Sequence, residues 1–558
     1  MVQHMVLWLK KKWKDIVFAC LITCLFLLPY ITKDFLGIEH DTFFHVSRIE
    51  QLSKAIQHGQ FFPALYPYEN HHYGYASPLF YSDVFLIIPA VLHLCGASLA
   101  FSYQLTVGIA SFLSAYAMIQ LAMHITNKKD ISYIASCAYL FSNYRITDVY
   151  VRGALGEIFA FAFLPYMLLG IYQIIYENKS WLTLTISLTF LALSHNLTFL
   201  MASILCAILC IISIPRLNKE KYIHIFLAVC FAFLLSFFFT VPMIEQLRSQ
   251  KFIVNYYGSN SNLAANAMDT WQYFVNKTIF GYSGNTLEHA KTMTVNVGWF
   301  LTFIPLTYIF TKKKNPFVST MLILGYICLL LPSTFLPWDI LPLQIMQFPW
   351  RFNTLTVLLL SIPSSIGIYS LWNKKYVSYI IITILSIECI YHIIPCYSRT
   401  FGITSETTWQ DILDGKLCDP CYSAYYVRVE LAGGDYLPLN SPDFRLRTTN
   451  IKDSSGNDLK LLYATDYDTL TFNTSTLEKD TTLVLPKTWY KGYTIYEVHG
   501  KQKTKVNCYA NYESMVTFKA KKNKTYILTY ENTPIRNISF IISGISLIIL
   551  LFLSKRMK

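Results

Sequence analysis

The sequence predicts a polytopic α-helical membrane protein with about twelve transmembrane helices and a C-terminal all-β, sandwich-like domain. Hydrophobic residues make up 54% of the 558 residues and charged residues only 14%, whereas soluble chains carry about 25% charged residues. Many apolar runs approach the roughly 20 residues that a helix needs to cross a bilayer. Near residue 396 the composition changes to Thr, Tyr, Asp, Asn and Lys. The composition excludes a disordered chain and an ordinary cytosolic enzyme.

Twelve apolar runs are interpreted as transmembrane helices. They are 16–32, 98–125, 131–147, 157–176, 181–193, 197–214, 222–244, 297–311, 316–332, 352–371, 376–395 and 537–553. The run 79–94 contains Pro89 and follows Pro78. We predict a juxtamembrane or re-entrant helix there. The first run follows a basic start but precedes no small-residue cleavage site, so it is expected to stay uncleaved.

The orientation is predicted from the distribution of Lys and Arg, which concentrate in cytoplasmic loops. With the N-terminus inside, every cytoplasmic loop is basic: 10–14, 127–130, 177–180, 215–221, 311–315, 372–375 and 554–558. Counting 79–94 as a full span would invert the side of the loops after it, so that 127–130 and 215–221, for example, would lie outside while 10–14 stays inside. The sequence therefore predicts a cell-membrane protein with both termini in the cytoplasm. The net charge of +13 is then explained by the bilayer, without a nucleic-acid partner.

The chain is predicted to have three regions. Residues 1–395 form the membrane domain, with a first outer loop and juxtamembrane helices at 33–96. Residues 396–535 form an extracytoplasmic β-rich domain, and 536–558 form the last transmembrane helix and a basic tail. Period-two alternation predicts strands at 425–431, 468–474, 493–498, 514–520 and 525–530. Cys418 and Cys421 form a single CxxC, a weak zinc signal without a second pair.

The first outer loop carries the strongest cluster of reactive side chains. Asp41 precedes a predicted helix over 42–57, and Asp41, His45 and Arg48 share one face of it. An amphipathic helix just outside a span is expected to lie along the membrane surface. Asp41 can be a helix N-cap, and Glu39 and His40 can be ordinary loop residues. Alternatively, a carboxylate here can act as a general base toward a hydroxyl, while His45 or Arg48 neutralises a phosphate.

Further polar residues lie at the outer ends of predicted spans. Charged groups at membrane depth usually face a cavity or each other. Arg152 and Glu157 can form an ion pair that fixes a loop, His195 can cap a turn, and Arg351 can snorkel to the interface. Their common side of the membrane favours a shared binding site. The candidate substrate- or phosphate-binding residues are His40, His45, Arg48, Arg152, Glu157, His195, Asn196, Trp350 and Arg351.

These segments resemble a known group of proteins. EHDTFFHVSRIEQLSKAIQHGQFFP (39–63), GYASPLFY (74–81), VRGALGE (151–157), LSHN (193–196) and QFPWRF (347–352) are similar to bacterial YfhO-like polytopic proteins and to membrane proteins labelled 6-pyruvoyl-tetrahydropterin-synthase-related. That label does not imply pterin chemistry. Both groups resemble GT-C glycosyltransferases. The resemblance covers roughly 30–395, with a looser likeness at 485–501.

The resemblance implies a GT-C-like fold and a transferase that uses a polyprenyl-phosphate sugar donor at the outer leaflet. In such enzymes an acidic residue lies in the first outer loop, and Asp41 occupies that place with Glu39 as its neighbour. The helices at 42–57 and 79–94 correspond to the juxtamembrane pair. Many of these enzymes carry adjacent acids, whereas His40 separates Glu39 from Asp41 here. Which carboxylate is the base, and whether a divalent metal bridges them, is left open.

The leading hypothesis is an integral-membrane glycosyltransferase with catalytic Asp41 and Glu39. It would move a sugar from a polyprenyl-phosphate donor to a cell-envelope glycan or teichoic-acid-type acceptor. The sequence contains no Gly-rich phosphate loop, which suits a lipid-linked donor. The alternatives are a transporter or flippase of lipid-linked sugars and a non-catalytic envelope-assembly protein. Against a transporter, the hydropathy shows no repeated halves.

The predicted orientation is tested by reporter fusions along the full chain. Fusions at Lys129, Lys219, Lys313 and Lys374 should report a cytoplasmic location, because these lysines lie in the basic loops. A fusion at Gly456 should report the opposite side. A cytoplasmic signal at Gly456 would contradict the orientation and, with it, an outer-face site.

Overall fold

The computed structural model describes a helical region followed by a β-sheet region. It describes residues 2–37, 39–255, 263–281, 292–341, 343–372, 375–399, 402–413, 434–442 and 448–556. The predicted strand at 425–431 and the Cys418–Cys421 pair lie outside these ranges. In the described part, most residues before 400 are helical and most strands follow residue 450. The membrane protein with a C-terminal β-sheet region that the sequence predicts is thus observed.

The helices follow the predicted apolar runs closely. They are α1 Val2–Phe26, α2 Leu28–Thr32, α3 Thr42–Gln57, α4 Ser77–Phe80, α5 Ile87–Leu94, α6 Leu99–Thr126, α7 Lys129–Leu140, α8 Asn143–Thr147, α9 Leu155–Glu177, α10 Leu182–Ser194, α11 Asn196–Ile212, α12 Lys219–Ser249, α13 Trp299–Phe303, α14 Pro316–Leu330, α15 Asn353–Trp372, α16 Lys375–Ile393, α17 Trp409–Leu413 and α18 Pro534–Arg556. A π-helical turn, Asp148–Arg152, joins α8 to α9.

Six helical segments in the described ranges are long and apolar enough to span a bilayer. They are 99–126, 155–177, 219–249, 349–372, 376–398 and 534–555. Five further apolar helices have 10–17 residues. One is 84–94, where the sequence predicts a juxtamembrane or re-entrant helix. The membrane region is confirmed, and the count of twelve spans stays a prediction.

The predicted span 131–147 is interrupted after Leu140. The helix α7 stops at Leu140, and Ser142 starts α8 by accepting a hydrogen bond from the Arg145 backbone N–H. Ser is a favoured N-cap residue because its side-chain oxygen satisfies an otherwise unpaired helix N–H. The chain therefore turns before it reaches the charged residues Arg145 and Asp148, and these side chains point into the protein.

The helices form an inner and an outer layer. In α6, α9 and α15 most of the apolar residues are buried, and α6 and α10 pack against α9. In α12, α16 and α18 most are exposed, and α12 packs against α18. Large apolar side chains such as Phe226 and Ile548 point outward from these helices. An exposed apolar surface of this kind is what a lipid-facing helix presents.

In the described residues, the β-sheet region is a sandwich of two five-stranded antiparallel sheets. One sheet has the order β10-β11-β7-β3-β4 and the other β5-β6-β12-β8-β9. The strands are β3 Ile451–Asp453, β4 Asp458–Leu459, β5 Tyr463–Asp466, β6 Thr469–Asn473, β7 Thr481–Thr488, β8 Tyr493–His499, β9 Gln502–Val506, β10 Tyr509–Ala510, β11 Met515–Ala520 and β12 Thr525–Tyr530. Alternate side chains of both sheets share one core. Four of the five predicted strands are thereby observed.

The sandwich and the helical region are joined through the first loop. Short strands β1 Leu36–Gly37 and β2 Gly402–Ile403 pair antiparallel. Leu65, Leu79 and Phe80 of the loop belong to the core of the sandwich. The Tyr73 carbonyl accepts a hydrogen bond from the Thr488 N–H at 2.8 Å. The first loop is thus packed between the helices and the sheets.

The packing of α9 on α10 depends on a glycine. A Cβ at Gly170 would lie 2.6 Å from the backbone nitrogen of Leu184 and 2.7 Å from its Cα. Backbone atoms cannot move aside as a side chain can. A methyl group here would force the two helices apart.

We expect Gly170→Ala to lower the thermal unfolding midpoint of the detergent-solubilised protein by a few degrees, because overpacking costs about 1–3 kcal/mol. Gly544→Ala is the matched control. Gly544 is also helical, and a methyl group added there would meet no other atom within 4 Å, so its midpoint should stay level or rise slightly with the better helix propensity of Ala. Equal effects of the two changes would contradict close α9–α10 packing.

Candidate active site

The site begins with a buried ion triad at the π-helical turn. The Arg152 guanidinium donates to Asp148 at 2.8 Å and to Glu157 at 2.7 Å. Glu157 also accepts hydrogen bonds from the hydroxyls of Tyr144 and Thr354, both at 2.7 Å. All three charged side chains are almost fully buried. The triad therefore ties the turn to α8, α9 and α15, and the ion pair considered for Arg152 and Glu157 is present.

The turn also positions the first loop. The Asp41 backbone N–H donates to the Arg152 carbonyl at 2.8 Å, and the His40 N–H donates to the Val151 carbonyl at 3.3 Å. Gly153 follows with φ +63°, and a Cβ there would clash with the Thr42 hydroxyl. Only glycine allows this backbone conformation and this close approach together. Asp41 is thereby held beside the ion triad.

The Asp41 carboxylate is partly exposed and has no hydrogen-bond or ion-pair partner among the described residues. It lies at the N-cap position of α3, as predicted, but its side chain does not form the capping bond. The carboxylate is thus accessible and uncommitted, as a general base that has to reach a substrate hydroxyl must be.

Glu39 is in a different environment. It is buried, and its carboxylate accepts hydrogen bonds from the Thr42 hydroxyl and from Arg399 at 3.0 Å. Burial raises the pKa of Glu39 to about 7, against the opposing charge of Arg399. The neighbouring His40 ring contacts the Gly281 carbonyl at 3.0 Å. Both oxygens of Glu39 are therefore committed to partners.

The helix α3 is where its sequence predicts, and its polar face is buried within the protein. Val46 and Ile49 on one side and His45 and Arg48 on the other are all at most 2% exposed. Helices α5 and α6 pack against it, and Phe44 meets Tyr436 from the chain after residue 434. The polar face is therefore not exposed, because later segments of the chain cover it, and the position of α3 along the membrane surface stays a prediction.

Arg48 and His45 are engaged by neighbours. Arg48 donates to Asp83 at 2.6 Å and to the carbonyls of Tyr81 and Ser82, both at 2.9 Å. The His45 Nε2 accepts from the Leu155 backbone N–H at 3.3 Å. Burial, then the charge of Arg48, holds the pKa of His45 well below its usual range. His45 is therefore neutral, and the charge of Arg48 is balanced within the protein.

Arg351 retains unused donors. Its Nη1 donates to the Met346 carbonyl at 2.9 Å and to Gln347 Oε1 at 2.8 Å, while the buried Nε has no partner in the described ranges. Gln347 has a φ of +61°, a strained conformation of a kind found at binding sites. Arg351 is 7% exposed. It is thus turned inward, and snorkelling to the interface is not its role.

Trp350 and His195 complete the surroundings of Arg351. The Arg152 guanidinium stacks over the Trp350 ring at 4.5 Å, and the Trp350 Nε1 is buried without a partner in the described residues. Burial, then the charge of Arg351, lowers the pKa of His195 to about 3. His195 caps α11, as considered: its Nδ1 accepts from the Thr198 backbone N–H at 3.3 Å and lies 2.8 Å from the Thr198 hydroxyl. Asn196 donates to the Phe80 carbonyl at 3.0 Å.

Sequence reasoning missed two groups at this site, Tyr81 and Asp435. The Tyr81 hydroxyl lies against Gly156, and its ring lies 4.4 Å from the Arg48 guanidinium. Asp435 follows the glycine pair 433–434, and its carbonyl accepts from the Val254 N–H at 2.8 Å. Asp41 and Arg351 both lie close enough to act on its charge. A Gly-Gly-Asp signal was present in the sequence, but nothing local relates it to Asp41.

The predicted site residues thus gather in one region. Arg152, Glu157, His195, Trp350 and Arg351 surround one another, and Asp41 joins them through the Arg152 carbonyl. Along α9, this region is at the Leu155 end, opposite the basic loop after Glu177. Arg48 and Glu39 lie beside it but are bound to Asp83 and Arg399.

Comparison with known families identifies the helical part of the chain. The profile of the 6-pyruvoyl-tetrahydropterin synthase related domain, described as a membrane protein, matches residues 79–395. The chain belongs to this family of membrane proteins. A search of curated proteins finds no match. The family match contains Arg152, Glu157, His195 and Arg351, whereas Asp41 and Asp435 lie outside it.

A divalent metal was left open by the sequence. No group of three or more His, Cys, Asp or Glu residues among the described ones is placed to hold an ion. Glu39 is bound by Thr42 and Arg399, so Glu39 and Asp41 do not offer two open carboxylates to the same ion. The acids of this family member do not fit a bridging metal.

Asp435 gives the site a predicted pH dependence. Burial, with Asp41 nearby, raises the pKa of Asp435 from 3.8 to about 7. A carboxyl with a higher pKa in the folded than in the unfolded chain makes the folded protein less stable as pH rises between these values. Asp435→Asn removes this loss of stability at higher pH. Its thermal midpoint should exceed the wild-type value at pH 8 by several degrees and approach it near pH 4.5.

The control for this measurement is Asp466→Asn, since Asp466 is exposed on β5. For Asp466→Asn, the difference in thermal midpoint from the wild type should not increase as the pH rises. A difference for Asp435→Asn that is constant from pH 4.5 to 8, or that shrinks as pH rises, would contradict the half-buried position of Asp435 near Asp41.

Proposed function

We propose that this protein is an integral-membrane glycosyltransferase acting at the outer face of the cell membrane. It moves a sugar from a polyprenyl-phosphate donor to a cell-envelope glycan or teichoic-acid-type acceptor. The observation that carries the proposal is the uncommitted Asp41 carboxylate near Arg351, whose buried Nε has no partner in the described residues. Family membership supports the membrane setting. The basic loops at the opposite helix ends support the outer location.

Asp41 is the proposed base because Glu39 and Glu157 are occupied. Glu157 is fully buried and accepts from Tyr144, Thr354 and Arg152. Glu39 is held by Thr42 and Arg399. A base has to reach a substrate hydroxyl within hydrogen-bond distance, and of these three carboxylates only that of Asp41 is partly exposed. Glu39, in its protonated form, is then proposed to position the first loop.

In the proposed reaction, the acceptor oxygen forms a bond to the anomeric carbon while the bond from that carbon to the phosphate oxygen breaks. Asp41 takes the proton from the acceptor hydroxyl. The polyprenyl phosphate leaves with the bonding electron pair, and its new negative charge is stabilised by fixed donors. No metal or nucleotide enters these steps.

Arg351 is the proposed phosphate ligand. Its buried Nε has no partner in the described part of the chain, and guanidinium donors match phosphate oxygens in a bidentate geometry. Arg152 and the neutral His195 lie around Arg351 and are proposed to keep the shape of the phosphate site. The Trp350 Nε1 adds a further donor that has no partner in the described residues. Arg48 is left out of this role because Asp83 already balances its charge.

An apolar cleft near this region suits the isoprenoid chain of the donor. Phe62, Pro78, Pro242 and Phe540 line it between the first loop, α12 and α18. Its polar border includes Asp83, the partner of Arg48. Since α12 and α18 expose apolar side chains, a lipid chain reaches this cleft without leaving an apolar environment.

The central test is Asp41→Asn, which keeps the size of the side chain while removing the proton acceptor. Transfer from a polyprenyl-phosphate sugar should fall by about 10²–10⁴-fold, with donor binding retained. Asp466→Asn, on the exposed face of β5, should leave transfer unchanged. Glu39→Gln should have a smaller effect than Asp41→Asn. Full activity of Asp41→Asn would remove Asp41 as the base.

Arg351 variants separate phosphate binding from chemistry. Arg351→Ala should raise the KM for the donor at least tenfold, and Arg351→Lys should recover part of the loss, because the charge remains while the planar fork is lost. Unchanged donor affinity in Arg351→Ala would contradict the assignment. If wild-type protein consumes no donor sugar with any envelope acceptor, the flippase or envelope-assembly alternative replaces the transferase.

A further inference from the structure

One end of the β-sandwich carries a dense cluster of lysines. Three lie on the edge strand β9 and just before it, and three lie in the turn between β11 and β12. They are Lys501, Lys503, Lys505, Lys521, Lys522 and Lys524. All but Lys524 are exposed, and Lys524 is half-buried. We call these six residues the lysine cluster.

The register of the strands brings the two groups together. Thr525 pairs with Val498, and Val498 pairs with Lys503. The turn lysines 521–524 and the hairpin lysines 501–503 therefore lie at the same end of one sheet. The turn lysines are anchored on β8 by Glu497, which lies 3.3 Å from Lys524 and 3.7 Å from Lys521.

The acids near the lysine cluster do not neutralise it. Glu497 is 5% exposed and also contacts His499 at 2.9 Å. Asp480 accepts from the backbone N–H of Lys522, and Glu531 lies 3.8 Å from Lys505. The side chains of Lys501, Lys503 and Lys522 form no ion pair with the described residues. The cluster therefore presents at least three uncompensated positive charges.

This end of the sheet points away from the membrane helices. The contacts of the sheet with the helical region are at its other end, where Lys491 and Tyr530 meet Gln246 and where Asp468 meets Gln60. From Tyr530 to Thr525 the strand extends about 17 Å at about 3.4 Å per residue. Electrostatic attraction between exposed charges is largely screened beyond about 8–10 Å in physiological salt. Lipid head groups at the helix ends are therefore poor binding partners for the lysine cluster.

We propose that the lysine cluster binds a linear polyanionic glycan of the cell envelope, one that carries phosphodiester or carboxylate groups along its chain. Spaced ammonium groups on an exposed edge match a repeating anion, and binding releases the counterions of the polymer, as it does for DNA. The cluster would hold the acceptor polymer while its end reaches Asp41. This role in acceptor choice rests on the proposed function, whereas the binding itself does not require catalysis.

A second explanation of the same lysines is protection of an edge strand. The strand β9 is an outer strand of its sheet, and lysines on edges prevent pairing with other chains. This explanation predicts aggregation of lysine variants without any change in polyanion affinity. The two explanations are therefore separable in one set of variants.

The test uses the full chain in phosphatidylcholine nanodiscs and two probes, fluorescent dextran sulfate and uncharged dextran of equal length. The variant combines Lys501→Gln, Lys503→Gln and Lys522→Gln, which breaks no ion pair with the described residues. The matched control combines Lys251→Gln, Lys452→Gln and Lys460→Gln, with the same loss of charge elsewhere on the surface. Anisotropy at 50–300 mM NaCl gives affinity and its salt dependence, and size-exclusion chromatography reports aggregation.

We expect wild type to bind dextran sulfate but not dextran. The cluster variant should bind about tenfold more weakly at 50 mM NaCl with a shallower salt dependence, and the control should change less than twofold. Equal losses in both variants, or an unchanged affinity with aggregation, would each overturn the proposal. Polyanion binding by a protein that transfers no sugar would uphold this inference and reject the proposed function.

Discussion

The ion triad of Arg152 with Asp148 and Glu157 is the interaction on which the rest of the site depends. Each member is nearly fully buried, and removing one partner of a buried pair typically costs about 3–5 kcal/mol because a charge is left uncompensated. Through Glu157 the triad fixes α8 and α15, and through the Arg152 carbonyl it fixes Asp41. The position of the unpaired Asp41 carboxylate therefore depends on three charged groups that are paired with one another. Asp41 differs from Glu39 and Glu157 because its carboxylate has no hydrogen-bond or ion-pair partner among the described residues.

Much of this architecture could be predicted from the sequence because its signals are local. Apolar runs, basic loops and period-two alternation each depend on residues within one segment, and the observed α9, α10, α12, β8 and β12 follow them closely. The break after Leu140 is also local, since Ser142 is a favoured N-cap, but the apolar run around it outweighed that signal. The number of helices that cross the bilayer depends on lipid contact as well as on hydrophobicity.

The remaining features depend on contacts between distant segments, which a single sequence does not reveal. Arg48 pairs with Asp83, 35 residues away in the sequence, and Glu39 pairs with Arg399, 360 residues away. Asp435 reaches the site because the chain at 251–254 pairs with 435–439 and Tyr436 stacks on Phe80. The burial of α3 has the same origin. Candidate residues could thus be named from the sequence, whereas their division into occupied and available groups required the structure.

The first loop explains how the β-sheet region and the membrane helices act as one unit. It contributes Leu65 and Phe80 to the core of the sandwich and Asp41 to the site. The segment after Gly434 returns over the loop and adds Asp435. A polymer held on the sandwich and a lipid-linked sugar held among the helices would accordingly meet at a loop that both regions fix in place.

The most direct measurement is an experimental structure of the full chain with bound polyprenyl phosphate in a lipid nanodisc. Our account predicts the phosphate within hydrogen-bond distance of the Arg351 guanidinium, with the Asp41 carboxylate facing the same space and the isoprenoid chain along α12 and α18. A phosphate bound at the opposite, basic ends of the helices, or one that leaves Arg351 without contact, would contradict the proposed site.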